Sequence, residues 1–259
     1  SISISDVLTP ALSTVIAGGL IPLFAYLSLR FIKVLSVVDR GSIAAHYGST
    51  SLVTFTAALL FLENSKIEVE PFATALLTIM EVPGIIVGIY LGSRVSTKGA
   101  PWGETLREVI TGKTITMLIG GMAIGLVATD EGYVRVSPFF IDIQYGVLAL
   151  FLLHLGCLAG GNLSQISHVG VTIFIFAITF PVLAGALGAA VGSAVGLSVG
   201  GAAILGVLCA SASYIAAPAA VTLALPEANS SSALISSIGV TFPFNLIIGI
   251  PLIVEISQL

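Results

Sequence analysis

The sequence predicts an all-α membrane protein laid out as an inverted repeat, with a matched pair of discontinuous, crossing helices at its centre. Three observations predict it: a composition too apolar for water, hydrophobic runs of membrane-spanning length, and helix interruptions that recur at nearly one offset. Of 259 residues, 56% are hydrophobic and only 8% charged, with a mean hydropathy of +1.12. An ordinary soluble domain carries about 25% charged residues. The net charge is −4, and no basic patch with interleaved aromatics is present, which excludes nucleic acid as a partner. Cys157 and Cys209 lie inside apolar runs without ligand or redox spacing, so both are expected to be buried small hydrophobes.

A hydrocarbon core about 30 Å thick requires about 20 apolar residues per helix. That length places eight spans near 9–30, 41–62, 71–93, 113–129, 137–161, 169–196, 200–225 and 232–255. The first follows a polar leader, SISISDVLTP, rather than a charged n-region and cleavage site, and so reads as a span and not a signal peptide. Arg30, Lys33, Arg40, Arg94, Lys98, Arg107 and Lys113, seven of the nine basic residues, fall in or beside the loops after spans one and three. Those loops share one side, and an excess of Lys and Arg marks the cytoplasmic face. The segment 94–112 is therefore expected to be a cytoplasmic linker and the C-terminus to lie outside, in a multi-pass protein of the inner or plasma membrane. The linker separates residues 1–93, with three spans, from residues 113–259, with five.

The two parts echo each other. Pro22 pairs with Pro181 at an offset of 159, Ser51 with Ser211 at 160, and Pro83 with Pro243 at 160. Spans one to three thus match spans six to eight, and because five spans separate each pair, partners cross the membrane in opposite directions. A chain without an initiator methionine, divided three plus five, is expected to lack two helices before Ser1. Inverted repeats are the usual architecture of secondary transporters, whose sites lie near mid-membrane where paired helices are interrupted.

Both interruptions are visible in the sequence. The first is HYGSTS, residues 46–51; the second is CASASYIAAPAA, residues 209–220. Gly48 and the hydroxyl residues loosen a helix because their side chains compete for backbone hydrogen bonds, and Pro218 removes a donor. Half-helix N-termini carry partial positive charge and free N–H groups. An anion-binding set of Gly48, Ser49, Thr50, Ser51, Ser211, Ala212 and Ser213 follows. Freed carbonyls and hydroxyls also offer hard oxygen ligands to a small cation. Glu81, the acid deepest within a span, is expected to take part in ion coupling or gating or to be a structural acid beside Pro83. Thr54, Thr241 and Asn245 join it as candidates, Asn245 with an equal reading as an interhelical hydrogen bonder. His46, Tyr47 and Tyr214 are possible pathway residues, though a membrane histidine often bonds a neighbouring helix and tyrosines often pack with a satisfied hydroxyl. Gly188, Gly192, Gly196 and Gly200, at four-residue spacing, read as a close helix contact. GGMAIG at 120–125 follows no strand and has no phosphate-loop lysine.

The run GSIAAHYGSTSLVTFTAALLFLENSKIEVEPFATALLTIMEVPGIIVGIYLGSR and the later CASASYIAAPAAVTLALPEANSSSALISSIGVTFPFNLIIGIPL resemble the two signature regions of the sodium-dependent bicarbonate transporter family. The resemblance extends over the whole chain. It implies five plus five helices with eight present here, uptake of bicarbonate with sodium as coupling ion, an elevator-type motion, a homotrimer, and a PII-like regulator at the cytoplasmic face. It also implies an anion held by the serine-rich breaks at Ser49–Ser51 and Ser211–Ser213. Where the family carries an acid and a glycine in its second break, this chain has Tyr214 and Ala217. A channel for anions, or a carrier of another small anion, remains open as an alternative. An enzyme is not expected: His46 with Ser49 is the one nucleophile–base arrangement, and no orienting carboxylate accompanies it.

Overall fold

A computed structural model describes residues 4–161 and 170–259. The elements are α1 (Ile4–Leu29), α2 (Val37–Gly48), α3 (Leu52–Asn64), α4 (Ala73–Ser93), α5 (Trp102–Thr111), α6 (Lys113–Val127), α7 (Asp130–Ser137), α8 (Gln144–Gly161), α9 (Val171–Ala194), α10 (Val199–Ala210), α11 (Ala216–Ala224) and α12 (Ser230–Ser257). A π turn at Pro138–Asp142 joins α7 to α8, and α12 contains π turns at Ile235–Thr241 and Asn245–Gly249 on either side of Pro243.

Six segments among the described residues are long and apolar enough to cross a membrane: Val7–Leu29, Val37–Asn64, Ala73–Ser93, Glu131–Cys157, Val171–Ala194 and Ser230–Ser257. Each coincides with an expected span. The other two expected spans take different forms. The one expected at 113–129 is α6, of 15 residues, bent by 45° from α5. The one expected at 200–225 divides into α10, of 12 residues, and α11, of 9.

Helices α2 and α10 are built alike. Each has 12 residues, each starts after a serine whose hydroxyl accepts an amide of the first turn, and each ends at a serine with extended backbone. Ser36 accepts from the Asp39 amide at 3.0 Å while the Asp39 carboxylate accepts from the Ser36 amide at 3.1 Å, a capping box. Ser198 accepts from the Gly201 amide at 3.1 Å. Helix ends thus align at an offset of 162, so Ser49 corresponds to Ser211 and Ser51 to Ser213. The helix ends thus differ by two residues from the Ser51–Ser211 pairing at 160 read from the sequence.

Each part is closed by helices in backbone contact. A Cβ on Gly41 would lie 2.3 Å from the Gly92 Cα, one on Gly88 2.3 Å from the Ala45 amide nitrogen, and one on Gly84 1.7 Å from the Gly48 carbonyl oxygen. Between α9 and α10, a Cβ on Gly188 would lie 2.7 Å from the Cys209 Sγ and one on Gly192 2.7 Å from the Ala202 Cα. Small residues allow this approach in a lipid environment, where packing rather than water expulsion joins helices. Only two of the four glycines in the 188–200 series do so. Gly196 has φ 86 and ends α9, its amide bonding the Ser193 carbonyl while the Leu197 amide bonds Gly192, a Schellman closure that favours glycine. Gly200 lies against the Glu68 carbonyl oxygen, 2.0 Å from where its Cβ would be.

The parts are joined by Tyr47, whose ring lies edge-on to Phe176 and Phe180 at 5.0 and 5.9 Å and whose hydroxyl bonds Thr241 at 2.7 Å. Two carboxylates bridge at the helix starts: Asp39 accepts from the Asn229 amide at 2.7 Å and Glu70 from the Ser198 amide at 2.6 Å. Helices α6 and α8 and the π turn at Pro138–Asp142 instead turn large apolar side chains outward, including Ile124, Leu126, Phe139, Phe140 and Leu150, as a bilayer-covered surface does. Cys209 is buried as expected, but Cys157 is exposed because it lies on peripheral α8.

Candidate functional site at the paired helix breaks

The first break begins where α2 ends at Gly48. Ser49 is extended (φ −102, ψ 159), and Ser51 then starts α3 by accepting the Thr54 amide at 3.2 Å. The Thr54 hydroxyl donates to the Ser51 oxygen at 3.0 Å, and the Ser51 hydroxyl donates to the Tyr214 phenol oxygen at 3.1 Å. The second break begins at Ser211 (φ −75, ψ 161), whose hydroxyl folds back onto the Val207 carbonyl at 2.7 Å. Ser213 serves the start of α11, accepting the Ala217 amide at 3.2 Å. The Ser213 amide donates to the His46 carbonyl at 2.7 Å. The two breaks are therefore bonded to each other, once through main chain and once through Ser51 and Tyr214. Helix α3 packs on α10, and α11 on α2, so the broken helices cross.

Beside the breaks lies a cavity of about 340 Å³. Thr50, Ser51, Ser213 and Tyr214 line it from the breaks, Glu81 from α4, and Lys113 and Thr114 from the start of α6. Leu52, Met117, Leu118, Ile215 and Ala216 supply apolar wall. Glu81 is 2% exposed and accepts a hydrogen bond from the Thr50 hydroxyl. The Ser49 hydroxyl is close to the same carboxylate without closing a hydrogen bond, and it has no other partner among the described residues. The first-turn amides of Leu52 and Val53 have no acceptor within their own helix. One cavity thus brings hydroxyls suited to an anion, a buried carboxylate suited to a cation, and a lysine onto one wall. Such a mixture suits a small anion accompanied by a metal cation more than either alone.

Of the residues singled out from sequence, Thr50, Ser51, Ser213, Tyr214 and Glu81 meet on this wall. Gly48, Ser49, Ser211 and Ala212 belong to the breaks but do not line the cavity. Thr54 reaches it only through Ser51. Thr241 bonds Tyr47 and donates to the Ala177 carbonyl at 2.7 Å, and the Asn245 amide group donates to the Ala210 carbonyl at 2.8 Å, satisfying an α10 terminus. His46 turns its ring onto the Ser42 carbonyl at 2.8 Å; its carbonyl is what touches the other break. Lys113, Thr114, Met117 and Leu118 were not among the sequence candidates. Lys113 counted as a loop charge there, and the available signal was its place at the first residue of a span, directly followed by a hydroxyl.

An all-α, multi-pass membrane protein whose polar site forms where two broken helices cross has the form of a membrane carrier. The sequence model of the Na+-dependent bicarbonate transporter superfamily matches residues 2–258, and the chain belongs to that superfamily. A comparison with curated proteins finds no match.

Proposed function

We propose that the protein is a secondary active carrier that takes bicarbonate, or a small anion of like size, into the cell together with sodium. The observation that carries this reading is the direct bond between the two breaks, Ser213 amide to His46 carbonyl, beside a cavity that presents hydroxyls and a buried carboxylate together. The superfamily's name supplies the ion and the anion. The anion rests against Thr50, Ser51 and Ser213; sodium rests beside it on Glu81 and neighbouring oxygens. An unpaired charge is costly to move through a low-dielectric barrier, whereas a neutralised pair is not, and this makes transport depend on sodium.

The equal lengths, caps and ends of α2 and α10 support a pair of inverted repeats, 1–93 and 113–259, with 94–112 as the cytoplasmic linker. The clustering of basic residues supports the orientation. The bonded breaks support an elevator-type motion in which the crossed helices move as one body. Labelled bicarbonate uptake into proteoliposomes, with and without an inward sodium gradient, tests the proposal. Saturable uptake that stops when sodium is removed is expected. Uptake indifferent to sodium, or a large ohmic conductance, overturns it.

A further inference from the structure

We propose that Lys113 is the residue that attracts and selects the anion on the route between the paired breaks and the α5–α6 elbow. The proposal rests on the carrier reading above. The geometry is that of two adjoining cavities. Beyond the cavity at the breaks lies a second, of about 290 Å³, bounded by Glu108 and Val109 of α5, Gly112 at the elbow, and Ala219 and Ala220 of α11. Lys113, Thr114, Ile215 and Ala216 are wall to both. The elbow, bent by 45°, sets Lys113 as the first residue of α6 at the junction. A solute moving between the breaks, at Thr50 and Ser213, and the elbow therefore passes Lys113.

The charged residues on these walls are Glu108 at the elbow end, Lys113 at the junction and Glu81 at the breaks. Lys113 is the cation among them. A compact ammonium on a flexible four-carbon stem can follow an anion over several ångströms while staying hydrated, and apolar walls on both sides concentrate its field along the passage. Glu81 alone would repel an anion from the cavity; Lys113, on the wall of the same cavity, offsets that repulsion for an anion held between the breaks and the elbow. Thr114, next in sequence, adds a hydroxyl to the same point. The charge sequence acid, base, acid along the passage then accepts an anion at its middle and a cation at its inner end, the arrangement a paired cargo requires.

The test uses the purified full chain and bicarbonate in sodium buffer. Equilibrium binding is read by calorimetry, and sodium-driven uptake at saturating bicarbonate is read in proteoliposomes. In Lys113→Gln, bicarbonate affinity is expected to fall about tenfold while maximal uptake stays within about twofold. In Lys113→Arg, which keeps the charge, affinity stays near that of the unaltered protein. Lys113→Cys, in a Cys157→Ser background, is then labelled after folding. A cationic aminoethyl thiosulfonate is expected to restore affinity, and an anionic sulfonatoethyl thiosulfonate to lower it further. Unchanged affinity in Lys113→Gln, or equal effects of the two reagents, overturns the role of Lys113. Absence of bicarbonate binding and uptake in the unaltered protein overturns the carrier reading instead.

Discussion

Gly84→Ala places one methyl group where α4 meets the end of α2. A Cβ there would stand 1.7 Å from the Gly48 carbonyl oxygen and 2.2 Å from its carbon. Carbon–oxygen contacts settle at about 3.3 Å or more, so the helices must part by roughly 1.6 Å. Backbone lies on both sides, and no side chain can rotate away. Overpacking of this kind costs about 1–3 kcal/mol, with the upper end expected for a backbone obstacle. The displacement also reaches the site, because Gly48 is the last residue before the first break and Glu81, one turn from Gly84, holds Thr50. Heating the detergent-purified protein and following the folded fraction by size exclusion should show Tm lowered by several degrees, on the scale of about 2–4 °C per kcal/mol. Bicarbonate affinity should fall alongside it. Gly120→Ala, where a Cβ would meet nothing within 4 Å, serves as the control and should leave both unchanged. If Gly84→Ala matched that control in Tm and in affinity, the backbone contact would not hold the first break in place.

Three further outcomes are expected. Glu81→Gln keeps the shape of a buried side chain bonded to Thr50 but removes its charge; hydrogen bonds to charged groups contribute about 1.5–3 kcal/mol, so half-saturating sodium should rise by roughly tenfold or more, and an unchanged sodium curve removes Glu81 from coupling. Ser51→Ala deletes a helix cap of about 1 kcal/mol together with the bond to Tyr214, and should weaken bicarbonate binding more than Tyr214→Phe, which loses only that bond; equal binding in Ser51→Ala and the unaltered protein refutes the assignment. Thr241→Val takes one of the Tyr47 hydroxyl's partners and leaves the Ala177 carbonyl without its side-chain donor, at about 1–3 kcal/mol, so Tm should drop while bicarbonate affinity holds, because Thr241 lies off the cavity; a change in affinity without a change in Tm refutes this.

Much of the frame was legible because membrane helices must satisfy their own backbone, which makes apolar length a direct reading of span. The breaks were legible for the converse reason: Gly48 with Ser49, Thr50 and Ser51, and Ser211 to Ser213 ahead of Pro218, are residues that loosen a helix. Register was not, since insertions between elements shift the offset from 159 at the first prolines to 162 at the breaks. Nor was the direction of each polar side chain. His46, Ser211 and Asn245 look like site residues by type, yet each is turned to a backbone carbonyl, because a buried donor seeks the nearest acceptor. Lys113 was hidden by its neighbours. A lysine at a helix start among other basic residues looks like a marker of orientation until the start of α6 is seen to form one wall of the cavity beside the breaks.

The bond from the Ser213 amide to the His46 carbonyl joins residues 167 positions apart. A nascent chain that has inserted α1 to α4 presents only one half of the socket, with that carbonyl still unclaimed. Completion of the socket therefore belongs to the last steps of biogenesis, after α10 and the stretch that follows it have been threaded back against helices made much earlier. Truncated products of translation would lack that bond and the cavity wall that Ser213 and Tyr214 supply.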